Sequence, residues 1–227
     1  MVKPKPILFI LLSVTGAALN IAVCYVSQNI LKFPLFLDTI FTMSITFYGG
    51  LYAGLLTGAL TNLTYHSVFF AGWPYYLYTL CNMAVALITY LFMRWFPREL
   101  NIHAPPLKNP NKNSFYLQRI IEKAIILILL SFSLCIVISI TGGLFASIIT
   151  LIEGTPEIAY EESVILDVGR NFKLALERKG LPLILVEIAS RIPVNILDRL
   201  LSSFAGFGFA LLLNKGHAKV SFILPVR

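Results

Sequence analysis

Few side chains in this chain are equipped for chemistry, and those few stand in apolar surroundings. Asp38, Asn62, His66, Asn82, Asp198 and Arg199 lie inside or at the edge of long uncharged runs. A charge at the centre of a bilayer costs about 2.5–3.5 kcal/mol on insertion scales, so such groups face a bundle interior or a cavity and pair with one another. Asp38 and Arg199 would engage opposite charges of a ligand, and the asparagines would donate and accept hydrogen bonds. An alternative reading makes Asp38 and Arg199 a fold-stabilising ion pair and lets His66 snorkel.

Catalysis has little material. No GxxxxGK[ST] phosphate loop, HExxH pair or GxSxG elbow occurs in the sequence, and His66, His103 and His217 are its three histidines. Cys24, Cys81 and Cys135 sit singly in apolar runs without CxxC spacing, which fits small buried hydrophobes rather than a disulfide frame or zinc site. The expectation is a protein that is not an enzyme and holds no metal or cofactor.

The elements that must position these residues follow from composition. Of 227 residues 57% are hydrophobic and 13% charged, against about 25% charged in a soluble domain. With a mean hydropathy of +0.80, this is a membrane composition. The formal net charge of +7 therefore reports orientation before any acidic partner, and no nucleic-acid role is expected. The apolar run after Lys3 and Lys5 continues to about Tyr25 without a clear small-residue cleavage site, so it reads as a retained first span.

A crossing needs about 20 residues, which makes 7–27, 75–95 and 123–152 one helix each. Lys3 and Lys5 precede the first, and Arg94, Arg98, Lys108, Lys112, Arg119 and Lys123 follow the fourth, so both positions are cytoplasmic. The stretch between must cross an even number of times, giving helices 33–48 and 50–70 with a turn at Gly49-Gly50. Lys215, Lys219 and Arg227 form a second cytoplasmic cluster, which requires a sixth helix at 190–214. The expected architecture is one all-α integral membrane domain, residues 1–227, with six transmembrane helices and both termini cytoplasmic. In its last outer loop Ile165, Val168, Phe172 and Leu176 recur at helical spacing, predicting an amphipathic helix that is either interfacial or a lid. The inner loop from Pro97 to Asn113 reads as an irregular linker.

At these depths the polar residues converge on the outer third of the bundle. Arg199 lies about 24 Å from Lys215 along a helix, which places it and Asp198 just beneath the outer boundary. Glu187, Arg191 and Asn195 continue that helix outward at i, i+4 and i+8, a spacing suited to an intrahelical salt bridge. Gly50, Gly54 and Gly58, continued by Asn62 and His66, form a small-residue ridge for helix packing or an intersubunit contact. Ala18 with Ala22, Ser13 with Ala17, and Ser202 with Gly206 and Ala210 offer further stripes. Phe69, Phe70, Trp73, Tyr75, Tyr76 and Tyr78 form an interfacial belt or the walls of a pocket for a planar ligand.

The segments FPLFLDTIFTM (Phe33 to Met43), GGLYAGLLTGALTNL (Gly49 to Leu63) and IPVNILDRLL, which opens the run Ile192 to Leu213, resemble the second, third and last helices of substrate-binding S components of energy-coupling factor transporters. The resemblance covers about a third of the chain by motif. It implies a prokaryotic plasma-membrane protein that captures a vitamin-like micronutrient from outside and docks on a transmembrane coupling protein powered by two ATPase subunits. It also implies that Ala18 and Ala22, an alanine-x-x-x-alanine stripe on the first helix, are the docking residues. Phe41 departs from the pattern, which has glycine after the Asp-Thr-Ile run. The alternatives are the input domain of a membrane sensor, an independent small-solute carrier and an assembly factor without a ligand. The chain's stop at Arg227, soon after Leu213, counts against the sensor.

Overall fold

The computed structural model describes residues 6–33, 35–69, 72–102, 113–153 and 172–223, with the side chains of 6, 113–116 and 216–223 left aside. Among the described residues every regular element is helical. Helix α1 (Pro6–Tyr25) runs on into a π turn, Val26–Ile30. Helices α2 (Ile40–Gly49) and α3 (Leu51–Phe69) meet at Gly50, whose φ of +85° lies in the region that only glycine enters freely. A 3₁₀ turn, Trp73–Leu77, leads into α4 (Tyr78–Trp95). Two 41-residue helices follow, α5 (Asn113–Glu153) and α6 (Leu183–Ile223).

Four of these elements, Ile7–Ile30, Trp73–Trp95, Leu117–Glu153 and Leu183–Lys215, are long and apolar enough to cross a membrane, which marks the chain as a membrane protein. Helices α2 and α3 are not among the four. The expected helix over 33–48 is corrected: residues 31–33 and 35–39 are not helical, and α2 begins only at Ile40. Two non-glycine residues there, Lys32 and Leu37, have φ of +52° and +51°, a left-handed backbone that cannot belong to a right-handed helix. The predicted outer-loop helix falls largely on residues 154–171, outside the described ones. Its end is seen as a short helical segment at 172–178, with Phe172 exposed. Of the inner linker, residues 97–102 form turns and 103–112 lie outside the described residues.

Polarity runs inside out. Ile7, Leu11, Ile136 and Leu201 point outward, while Asn20, Asn82, Asp198 and Arg199 are buried, the distribution of a bundle whose solvent is lipid. Several hydroxyls are satisfied within their own helices: buried Ser131 and Ser147 and half-buried Thr141 each donate to the carbonyl four residues back.

Helix α2 touches α1, α3, α4 and α6, and seven of its ten residues are buried. Glycine ridges let its neighbours approach. A Cβ on Gly58 of α3 would fall 2.9 Å from both the carbonyl and the Oδ1 of Asn82 in α4, and one on Gly206 of α6 would fall 2.8 Å from the Ile40 carbonyl. The Gly54-Gly58-Asn62-His66 ridge and the Ser202-Gly206-Ala210 stripe are therefore packing surfaces within the chain. The same holds for Ser13 and Ala17, buried on α1, where the Ser13 hydroxyl reaches the Ala53 carbonyl at 3.2 Å. Ala18 and Ala22 lie one face over and are exposed. Below these contacts Met43, Phe47, Val85, Leu130, Leu134 and Phe207 form the apolar core.

Candidate functional site: a polar cavity at one end of the bundle

A cavity of about 580 Å³ opens where the second half of α1, the end of α3, the start of α4 and the first half of α6 come together, closed on one side by α5. These are the helix ends remote from Arg94, Arg98 and Lys215. Its size suits a small organic ligand. Asp38, Asn62, His66, Asn82 and Arg199 line it, as the sequence depth argument expects.

Asp198 is the exception. It is fully buried behind the wall, where its Oδ2 lies 2.5 Å from Arg199 Nη2 and its Oδ1 accepts the Leu37 N–H at 2.8 Å. Both oxygens are thus engaged by the protein. Its placement among the ligand-binding residues is not what the geometry shows: the carboxylate holds Arg199 and fixes the left-handed Leu37. Arg199 also donates from Nη1 to the Thr39 hydroxyl at 2.5 Å, and its Nη2 is 3.6 Å from Asp38 Oδ1. That last separation is an ion pair without a hydrogen bond. Asp38 lines the cavity with a side-chain accessibility of 23%, while its Oδ1, the oxygen nearer Arg199, is buried and makes no hydrogen bond.

The floor is a chain of amides and hydroxyls. Asn20 donates from Nδ2 to Thr42 and Thr61 at 2.9 and 3.1 Å, and its Oδ1 takes the Phe41 N–H at 2.8 Å, capping the first turn of α2 from another helix. Thr42 donates to Asn82 Oδ1 at 2.8 Å. Asn82 Nδ2 reaches the Asp38 carbonyl at 3.2 Å and Asn62 Oδ1 at 3.3 Å, and Asn62 Nδ2 donates to the Tyr78 carbonyl at 2.7 Å. Four helices are thereby joined through groups whose hydrogen bonds a membrane interior cannot replace. Phe41, which departs from the expected glycine, sends its ring away from this network toward Phe209, with centroids 5.1 Å apart.

The walls are aromatic. The His66 ring lies 6.0 Å from that of Tyr78 and 6.2 Å from that of Tyr75, and Tyr25 stacks on Phe69 at 5.8 Å. Of the predicted aromatic belt, Phe69, Tyr75 and Tyr78 line the cavity, Trp73 and Tyr76 are exposed, and Phe70 lies outside the described residues. Exposed Lys32, Phe36 and Phe69 mark the mouth.

Two lining residues, Arg191 and Asn195, carry more of the site than their spacing announced. Arg191 Nη2 donates to the Tyr78 hydroxyl at 3.1 Å with the guanidinium 5.6 Å from the ring centre. Asn195 donates to Ser139 at 2.9 Å. Glu187, the expected helical partner of Arg191, binds Lys173 at 2.5 Å and ties the 172–178 segment to α6. The signal that could have found Arg191 was its helical register: it lies two turns before Arg199, on the same face.

Among the described residues no group of three His, Cys, Asp or Glu side chains could hold a metal ion. No protein-family model, curated protein or solved structure matches the chain.

Proposed function

We propose that this protein is the substrate-capture subunit of an ATP-driven micronutrient importer, as its resemblance to S components of energy-coupling factor transporters implies. The observation that carries the reading is the cavity: amide-floored, aromatic-walled and placed at the bundle end opposite the basic clusters. By the positive-inside rule that end faces outward, so the cavity meets solute outside the cell. In this reading all six helices cross, both termini are cytoplasmic, and the non-helical residues 35–39 with the short α2 make one interrupted crossing. Non-helical backbone at membrane depth is tolerated where it lines a cavity. The membrane is the plasma membrane of a prokaryote. The partners are a transmembrane coupling protein and two ATPase subunits, approached through exposed Ala18 and Ala22.

Two measurements test this. Mass spectrometry of the protein purified in gentle detergent should detect a retained small molecule. Cells given the chain together with a coupling module should accumulate that solute in an ATP-dependent way, and cells given the chain alone should not. Uptake that persists without any ATPase identifies an independent carrier instead.

A further inference from the structure

Arg199 lines the cavity, but its charge is already taken. Its side chain is 4% accessible, its Nη2 lies 2.5 Å from Asp198 Oδ2, and its Nη1 donates to the Thr39 hydroxyl at 2.5 Å. Asp38 is a second carboxylate on the same guanidinium, 3.6 Å from Nη2. Two acids thus share one cation, and the cluster keeps one negative charge over. In surroundings of low dielectric such a charge is weakly screened and unfavourable until it is matched. Burial decides where it can be met. Asp198 is closed off behind the wall, and Asp38 Oδ1 is buried against the arginine. The 23% of the Asp38 side chain that stays accessible therefore belongs to Oδ2 and the carbon stem, on a residue that lines the cavity.

The neighbouring groups suit the same sign. Asn195 stands one turn before Arg199 on α6 and donates its Nδ2 to Ser139, so what it can offer the cavity is the acceptor Oδ1. Asn82 Nδ2 ties the Asp38 carbonyl to Asn62. One turn beyond Asn62 on α3, the His66 ring joins those of Tyr75 and Tyr78, and aromatic faces attract both flat molecules and cations. Of the other basic lining residues, Lys32 is exposed at the mouth, where solvent screens it, and Arg191 lies about 12 Å from Arg199 along α6, where it donates to the Tyr78 hydroxyl. The ion pair that Asp38 makes is with Arg199.

From this cluster we infer the ligand class: a flat organic cation whose charged nitrogen head, an amidinium or a protonated amino-substituted heteroaromatic ring, donates to Asp38 Oδ2, with Asn195 as a neighbouring acceptor. The inference rests on the capture-subunit reading and specifies its solute. It assigns the charged contact to Asp38 and withholds it from Arg199, whose guanidinium is the counter-ion of two acids within the fold. A charge-assisted N–H bond to Oδ2 is stronger than a neutral one, and the ligand's positive charge balances the cluster. Neutral molecules of the same shape keep the plane and lose that balance, and anions meet like charge.

Benzamidine, benzamide and benzoate test this directly, because they share one ring and one planar head and carry positive, zero and negative charge. In thermal-shift titrations of the detergent-solubilised protein, benzamidine should bind at least tenfold more tightly than benzamide, and benzoate most weakly. Asp38→Asn should erase the difference between benzamidine and benzamide, and Asp38→Glu, which keeps the charge, should restore part of it. Benzamide binding retained by Asp38→Asn shows that the variant is folded; where it does not fold, the order of the three probes on the wild type decides alone. An order that is flat or reversed, a preference for benzamidine that survives Asp38→Asn, or none of the three binding at millimolar concentration overturns the ligand class. A flat order means that a proton meets the surplus charge instead. Failure of the capture reading is separate and shows as the absence of both a co-purified solute and ATP-dependent uptake. A co-purified solute that is anionic or has no basic nitrogen leaves capture standing and removes this inference.

Discussion

Asp198 Oδ2 lies 2.5 Å from Nη2 of its chain neighbour Arg199, and both side chains are buried. The carboxylate at the cavity wall, Asp38, is farther away at 3.6 Å. The two acids therefore divide their labour, one neutralising the arginine within the fold and one facing the cavity. Removing one partner of a buried ion pair leaves an uncompensated charge, which costs about 3–5 kcal/mol. Asp198→Ala should show a loss of that order in the unfolding free energy of the solubilised protein, together with release of the Leu37 N–H. Asp38→Asn should cost clearly less, because Asp198 still holds Arg199. Equal losses would mean that Arg199 depends on both acids alike.

The Asn20 side chain makes three hydrogen bonds to Thr42, Thr61 and the Phe41 N–H. Truncating it orphans a buried backbone donor, at about 1–3 kcal/mol. Asn20→Ala should be destabilised by that amount. Amide exchange should rise most at Phe41, where the cap is lost.

The fold was legible in the sequence wherever hydropathy and charge acted alone. Uncharged intervals located α1, α4, α5 and α6, and the four-residue spacing from Gly54 to His66 marked a face that is indeed buried. Hydropathy could not see that residues 31–33 and 35–39 leave the helix, because a short apolar segment reads alike whether helical or not. Five of six predicted cavity residues were found because polar groups in lipid have few places to go. The error over Asp198 has the same root: depth assigns a residue to a level of the bundle, not to the front or back of a wall. Arg191 was read as half of a helical salt bridge because spacing along one helix is visible in a sequence and Tyr78, on another helix, is not.

Gly58 supplies a sharper test of the packing. Its missing Cβ leaves room for the Asn82 backbone and amide at 2.9 Å, whereas a Cβ on Gly208 meets nothing within 4 Å. Overpacking typically costs about 1–3 kcal/mol, so Gly58→Ala should lose stability on that scale and weaken ligand retention by displacing Asn82. Gly208→Ala should do neither. Unfolding midpoints and the amount of co-purified solute, measured on both variants, check the pair.

Helix α1 presents two alanine stripes with opposite fates. Ala17 is 4% exposed and packs inward, while Ala18 and Ala22 face outward. Ala17→Leu forces a larger side chain into a filled space and should cost about 1–3 kcal/mol. Ala18→Leu and Ala22→Leu touch no packed neighbour and should leave stability within about 0.5 kcal/mol. Where a coupling protein docks on the outer stripe, the two added isobutyl groups hold the helices apart, since close approach in lipid depends on small side chains. The double variant should then keep full solute binding in detergent and lose ATP-driven uptake. Uptake that survives both substitutions would move the docking face elsewhere on the bundle without touching the cavity.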